Sequence, residues 1–243
     1  MTADERPAAA VAPVTGPAVG PGPSSDPGPG PGPGPGPGTP GDYFTRMYGA
    51  RPDPWHLAGR WYERRKYALT VAALPRAVHR SAFEPGCSVG VLSGLLAERC
   101  GALLSCDREE RALEQARTRL GHLPHVRVER RVLPQDWPDE EFDLVVLSEL
   151  LYYFAPVTVA ALLDRAVSSL EPGGTLVLAH WRHPVDEHAQ RGDAVHRQAR
   201  DHPGLVRIAA HTEPDFLLDV FVRPVSAGTS ADRLSVAAAE GLT

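Results

Sequence analysis

The sequence predicts a doubly wound α/β fold in which one sheet of seven strands carries helices on both faces. Three observations predict it. From about residue 42 to residue 224, short apolar runs alternate with helical patterns, the mark of successive βαβ units. One run, Phe142 to Leu147, is apolar almost throughout, as a strand covered on both faces must be. A glycine-containing turn follows the first strand, and an acidic residue ends the second.

The segment ahead of this domain has a different composition. Residues 7–41 are dominated by Pro, Gly and Ala and contain an unbroken Pro-Gly alternation from Pro27 to Gly38. So few large apolar side chains cannot offset the entropy lost on ordering, and residues 1–41 are expected to form a disordered tail. The two-residue period excludes collagen, which needs glycine at every third position.

Within the domain, the first strand is expected at Ser81 to Glu84, and a turn leads into a helix from about Gly90 to Arg99 with Val91, Leu92, Leu95 and Leu96 on one face. The second strand, Ala102 to Cys106, ends at Asp107. That acid is placed to cap the next helix, with Glu110 completing a capping box and Gly121 stopping the helix. Strand three is expected at Val126 to Arg130 and strand four at Phe142 to Leu147. Pro156 starts a helix whose stripe is Val159, Leu162, Leu163, Ala166 and Leu170. The turn Glu171 to Gly174 then launches strand five, Thr175 to Ala179. A polar, His-rich stretch separates it from two closing strands, Leu205 to Ala210 and Phe216 to Val222, and residues 225–243 read as a flexible C-terminal tail.

Composition narrows the function. A formal net charge of -5 gives no basic footprint for a phosphate backbone, so nucleic acid is not an expected partner. Cys87, Cys100 and Cys106 are odd in number and lack a C-x-x-C spacing, which suits a reducing cytoplasm and suggests neither a disulfide framework nor a metal site. No signal-like or membrane-spanning apolar stretch is present in the sequence. Oligomeric state is not legible.

The segment Glu84-Pro-Gly-Cys-Ser-Val-Gly90 places a carboxylate, a glycine turn and a helix start together. Gly86 and Gly90 permit close backbone approach to a ligand, and the free N–H groups of the helix start favour an electron-rich group. Asp107 stands 17 positions after Gly90, at the next strand end, where an acid reaches ribose hydroxyls. Turn and acid together read as an adenosine-type site. The same segment also matches G-x-S-x-G, which would make Ser88 a hydrolase nucleophile completed by Asp143 and His180, but it follows the first strand with no upstream oxyanion loop. A dinucleotide turn would need G-x-G-x-x-G, which is absent here. His180, His183 and His188 match no zinc spacing and read as exposed loop residues. A domain that binds a nucleoside without catalysis, acting through its Pro/Gly tail, is the non-enzymatic alternative.

Four stretches resemble class I S-adenosylmethionine-dependent methyltransferases, and specifically the nodulation protein S (NodS) family. They are Asp53-Pro-Trp-His-Leu57 with Tyr62-Glu63, Glu84-Pro-Gly-Cys87 to Gly90, Phe142-Asp-Leu-Val-Val to Glu149-Leu-Leu-Tyr-Tyr153, and Leu170-Glu-Pro-Gly-Gly174. The resemblance implies a Rossmann-like sheet in the order 3-2-1-4-5-7-6, with S-adenosyl-L-methionine across its carboxyl ends. Glu84, Gly86, Cys87 and Gly90 would form the donor turn, and Asp107 would bind the ribose. Ser148 and Glu149 would face the methionine part and the acceptor, while Trp55 and Tyr62 would resemble a lid over the donor. Two departures stand out: Ser88 replaces the middle glycine of the usual turn, and Val132 stands where relatives carry an acid for adenine. Adenine would then rest on backbone near Val132 and on Leu133, or on Asp136 and Trp137.

The implied reaction moves a methyl group to a nitrogen, or second to an oxygen, of a small-molecule or saccharide acceptor. Glu149 and His180 are the expected catalytic residues, and Tyr152 and Tyr153 the expected acceptor contacts.

Overall fold

Alternation decides which side of each strand meets which helices. Strand β4, Phe142–Ser148, is buried at every position. Its Val145 and Leu147 join one apolar cluster while Leu144 and Val146 join another on the opposite face, the period-2 consequence of a pleated strand. Strand β5, Leu170–Trp181, divides in the same way: Leu176 and Leu178 go to the first cluster, Val177 and Ala179 to the second. The computed structural model describes residues 41–226 and 235–242. Residues 1–40 of the expected N-terminal tail, and 227–234 and 243 of the expected C-terminal tail, lie outside the described residues.

Five further strands complete the sheet: β1 (Ala82–Pro85), β2 (Leu103–Asp107), β3 (Val126–Arg130), β6 (Val206–Thr212) and β7 (Phe216–Val222). The order is β3-β2-β1-β4-β5-β7-β6, as the resemblance implied. The first five strands in that order run parallel to one another, whereas β7 pairs antiparallel with both β5 and β6. A bulge at Glu171–Gly174 shifts the register from Phe142↔Leu170 to Leu144↔Thr175.

Helices α2 (Trp61–Ala72) and α3 (Val91–Ala97) cover one face, through Tyr67, Leu92 and Leu96. Helix α5 (Pro156–Ser169) covers the other through Val159, Leu162, Leu163 and Ala166, with Pro156 starting it as expected. Helix α1 (Gly41–Ala50) precedes this sandwich, and α4 (Glu110–Leu120) lies between β2 and β3.

Three local expectations are corrected. Glu109, not Asp107, occupies the N-cap of α4, and its own side chain makes no capping bond, so the capping box does not form. The His-rich stretch contains helix α6, Gly192–Arg200, which buries Val195, His196 and Ala199. Within the expected C-terminal tail, Val236–Ala239 forms a short helix α7 capped by the Ser235 hydroxyl. No helix among the described residues is long and apolar enough to cross a membrane.

Candidate active site

The turn after β1 alternates into the left-handed region. Gly86, Ser88 and Gly90 have φ of 77°, 51° and 76°. The N–H groups of Gly86 and Cys87 both donate to Cys106 O, at 2.7 and 2.9 Å, which binds the turn to the end of β2. For Ser88 the left-handed conformation costs about 1–2 kcal/mol that glycine would avoid. In return its N–H donates to Asp107 Oδ2 at 3.0 Å, and its hydroxyl bonds the Tyr48 hydroxyl of α1.

Gly86 and Gly90 have separate tasks. A Cβ on Gly86 would lie 3.0 Å from Leu150 Cδ1, beside the cavity. A Cβ on Gly90 would lie 3.1 Å from the Ala116 backbone, so this glycine lets α3 pack against α4. Gly90 does not line the cavity, contrary to the expected ligand contact.

Asp107 ties this turn to the start of α4. Its Oδ1 accepts the Glu109 N–H at 3.0 Å while Oδ2 accepts the Ser88 N–H at 3.0 Å. Burial pushes its carboxyl pKa up, against these backbone donors. Glu84 lies deeper and accepts the Ser105 hydroxyl at 2.9 Å; burial pushes it up to about 7. Cys87 also lines this wall, with a thiol pushed well above its ordinary range by burial.

The turn opens onto a cavity of about 630 Å³, within the usual range for ligand sites. Glu84, Gly86, Cys87, Ser88 and Asp107 line its donor side together with Val132 and Leu133. Trp55 and Tyr48 lie over it, their rings 5.4 Å apart. Ser148, Glu149, Tyr152, Tyr153 and Trp181 line the other side, with Tyr62 and Lys66 of α2. Most of these residues sit at the carboxyl ends of the parallel strands, where α/β sheets bind ligands.

Glu149 is held by three donors and by its own backbone. It has a φ of 53°, and its N–H bonds Ala179 O at 2.8 Å. Lys66 Nζ donates to Oε1 at 2.8 Å; the Tyr152 hydroxyl and, at 3.2 Å, the Trp181 N–H donate to Oε2. Lys66 also pairs with Glu63 Oε2 at 2.9 Å. Burial pulls the Lys66 pKa down, but the Glu149 and Glu63 charges outweigh it and the net shift is upward. The group is thus two carboxylates around one ammonium, and Arg60 lines the same wall.

His180 is not a loop residue and does not reach the cavity. It belongs to β5, is 0% exposed, and bonds Leu151 N–H and His196 instead of facing an acceptor. The histidine at the chamber is His188, stacked on Tyr152 with ring centroids 3.8 Å apart and lowered to about 4 by burial. On the adenine side the Val132 N–H is taken by Asp136 Oδ2 at 2.9 Å, and Trp137 packs in the core against Phe83. Among the expected adenine contacts, Val132 and Leu133 remain as apolar lining.

The hydrolase triad is not assembled. Ser88 bonds Tyr48, His180 bonds His196, and Asp143, at the opposite end of β4, accepts the N–H groups of Arg80 and Ser81, both at 2.9 Å. The other two histidines are also separate, His183 pairing with Asp215 at 2.8 Å. Among the described residues no group of three or more His, Cys, Asp or Glu side chains converges on a metal position.

Lys66, Glu63, Tyr48 and His188 are the functional lining missed from sequence. The only local signal is on α2, where Glu63, Lys66 and Thr70 place polar groups at a helical spacing that is buried.

Residues 42–196 match the family described as Nodulation protein S (NodS). A nodulation protein S from Rhizobium tropici is 31% identical over 144 residues, 58% of this chain and 59% of that protein. The alignment therefore spans about three-fifths of that curated relative. A crystal structure from Pseudomonas syringae, classed as a methyltransferase, is 47% identical over 68% of this chain and all of its own, with a TM-score of 0.61. The N-methyltransferase NodS of Bradyrhizobium japonicum WM9, solved with S-adenosyl-l-homocysteine, is 26% identical with a TM-score of 0.64, covering 74% of this chain and 96% of its own. With its sheet order, donor turn and matched span in agreement, the chain belongs to the nodulation protein S family.

Proposed function

We propose that this protein transfers a methyl group from S-adenosyl-L-methionine to an amine of a small-molecule or saccharide acceptor. One observation carries the reading: a single cavity joins the Gly86–Ser88 turn and Asp107 to the Glu149 chamber, so a donor and an acceptor can meet inside it. The resident side chains fit the donor. Asp107 can accept from two neighbouring hydroxyls, Glu84 offers a buried carboxylate for an ammonium, and the buried Ser148 hydroxyl has no protein partner. When bound, the donor supplies a methyl carbon already electrophilic on its sulfonium, so the protein's main task is alignment.

The acceptor side offers hydrogen-bond acceptors to an amine or a hydroxyl. Glu149 and Glu63 bring carboxylate oxygens to its wall, offset by Lys66 and Arg60, and His188 stays neutral at neutral pH because burial lowers it. An amine held there gives its proton to solvent before attack and forms its new N–C bond as the donor's S–C bond breaks, whereas a hydroxyl would need a general base as it attacks. Trp55, Tyr153 and Trp181 bring aromatic side chains to the lining, a composition that suits a sugar. Three unpaired, buried cysteines support a cytoplasmic location, and the net charge of -5 speaks against a nucleic-acid acceptor.

The test is calorimetric titration with S-adenosylmethionine and S-adenosylhomocysteine, with NAD as control, for the native chain and Asp107→Ala. Saturable adenosyl binding, weakened about tenfold or more by the substitution, is expected, a change of about 1.4 kcal/mol. No binding to the native chain overturns the reading. Transfer from labelled donor to a panel of amino sugars and small amines then identifies the acceptor.

A further inference from the structure

The first-cluster face of the sheet carries an unusual polar line beneath α6. Because strands alternate, His180 of β5 falls on the face of Leu176 and Leu178, and Asp219 of β7 on the face of Phe221. His196 descends from α6 between them. Asp219 Oδ2 accepts from His196 Nδ1 at 2.8 Å, and His196 Nε2 lies 3.1 Å from His180 Nδ1. His180 Nε2 lies 3.2 Å from the Leu151 N–H. Both imidazoles are 0% exposed.

Proton positions follow from the two ends of this line. An amide can only donate, so His180 Nε2 must be bare and its proton sits on Nδ1, pointing at His196. His196 Nε2 must then accept, and its proton sits on Nδ1, pointing at Asp219. Every polar atom of the line is satisfied in one arrangement. Burial, with His196 beside it, holds His180 well below its ordinary range, which keeps Nε2 free for the amide. The outer end is fixed by Arg207 and Arg200, 3.3 and 3.5 Å from the Asp219 carboxylate. The line ends on a backbone amide and cannot pass a proton into the cavity.

Its inner end holds the 3₁₀ turn Leu151–Tyr153. Tyr152 on this turn donates to Glu149, stacks on His188, and through its carbonyl accepts the N–H groups of Ala189 and Gln190 at 2.9 and 3.2 Å. We propose that His180 is a positioning residue: with His196 and Asp219 it forms a buried strut that fixes the Leu151–Tyr153 turn, and hence the Tyr152–Glu149 geometry, for acceptor alignment and not for donor binding. The functional half of this inference rests on the methyl-transfer reading.

Three measurements test it. In the native protein at pH 7, ¹⁵N spectra of labelled histidine should show both buried rings as Nδ1–H tautomers; an Nε2–H His180 overturns the strut. In His180→Leu, hydrogen exchange of the Leu151 amide should quicken at least tenfold while β1 and β4 amides are unchanged, and His180→Gln, which can accept and donate in the same directions, should restore it. With an acceptor in hand, His180→Leu should keep its S-adenosylhomocysteine affinity within about twofold and lose tenfold or more in kcat/KM for the acceptor, with partial recovery in His180→Gln. Native turnover in a folded His180→Leu protein overturns the proposal. If that variant does not fold, His180→Gln and Asp219→Asn decide it by the same readouts. Failure of the native chain to bind S-adenosylhomocysteine counts against the methyltransferase reading alone, since the tautomer and exchange signatures stand without it.

Discussion

Lys66, on the second helix, places its ammonium 2.8 Å from Glu149, 83 positions further along the chain, where β4 has just ended. The pair is a seam between α2 and the sheet and lines the cavity. Removing the ammonium leaves two carboxylates without their counter-charge, in a place where Lys66 is only 2% exposed.

Lys66→Met is therefore expected to lose about 3–5 kcal/mol of unfolding free energy, the usual result of breaking a buried pair from one side. Glu149→Gln should lose less, because Lys66 keeps Glu63 at 2.9 Å. Urea unfolding of the two variants and of their combination checks the order. A double variant more stable than Lys66→Met alone identifies the stranded charge as the cause.

The two glycines of the donor turn should separate cleanly. Gly90→Ala forces a Cβ against the Ala116 backbone at a φ of 76°, and a stability loss of about 2–3 kcal/mol is expected with donor affinity largely kept. Gly86→Ala carries the same left-handed strain at a φ of 77° but meets only the flexible end of Leu150, so its stability loss should be the smaller of the two and its larger effect should be on donor binding. Thermal unfolding and calorimetry on both variants distinguish packing from ligand approach.

Glu84 gives a pH-dependent prediction. Burial raises its folded-state pKa from 4.5 to about 7, so between these values the folded state holds more protons than the unfolded one. Stability must fall as pH rises through that window and level off above it. Glu84→Gln removes the ionisable group, and should exceed the native chain by about 2–3 kcal/mol at pH 8 while the two converge near pH 5. The comparison is made by urea unfolding at both values.

The same carboxyl links protonation to donor binding. An ammonium seated beside Glu84 stabilises its charged form, so donor binding near pH 6.5 should release roughly 0.5–0.75 proton. Titrations in buffers of different ionisation enthalpy measure this directly. The release should vanish in Glu84→Gln and above pH 8.

Much of the fold was legible because its signals are local. The run Phe142 to Leu147 could only be a central strand, and the Gly86 turn with Asp107 marked a ligand site through a pattern spanning about two dozen residues. His180 was misplaced because β5 continues two residues beyond its apolar run; a histidine there reads as loop until His196 and Asp219 appear beneath α6. Helix α6 escaped because Val195 and Ala199 are its only buried apolar side chains with bulk beyond glycine, and a histidine completes its inner face. Lys66 was invisible for a related reason: its meaning lies in a partner 83 positions away.

Ser88, which replaces the middle glycine of the family's turn, is held in the left-handed region, where backbone conformation and not side-chain size is the issue. What recommends serine over glycine is the bond from its hydroxyl to Tyr48, which fastens α1 to the donor turn.

The three buried cysteines give the protein a built-in clock. Only the thiolate reacts with alkylating reagents, and burial raises Cys87, Cys106 and Cys100 alike, the last to about 12. Labelling of the native chain therefore has to wait for the core to open, and its rate counts openings. Cys87 lines the donor wall while Cys100 does not, so a tightly held donor should slow the alkylation of one more than the other whenever opening is local, and equally when the whole domain unfolds.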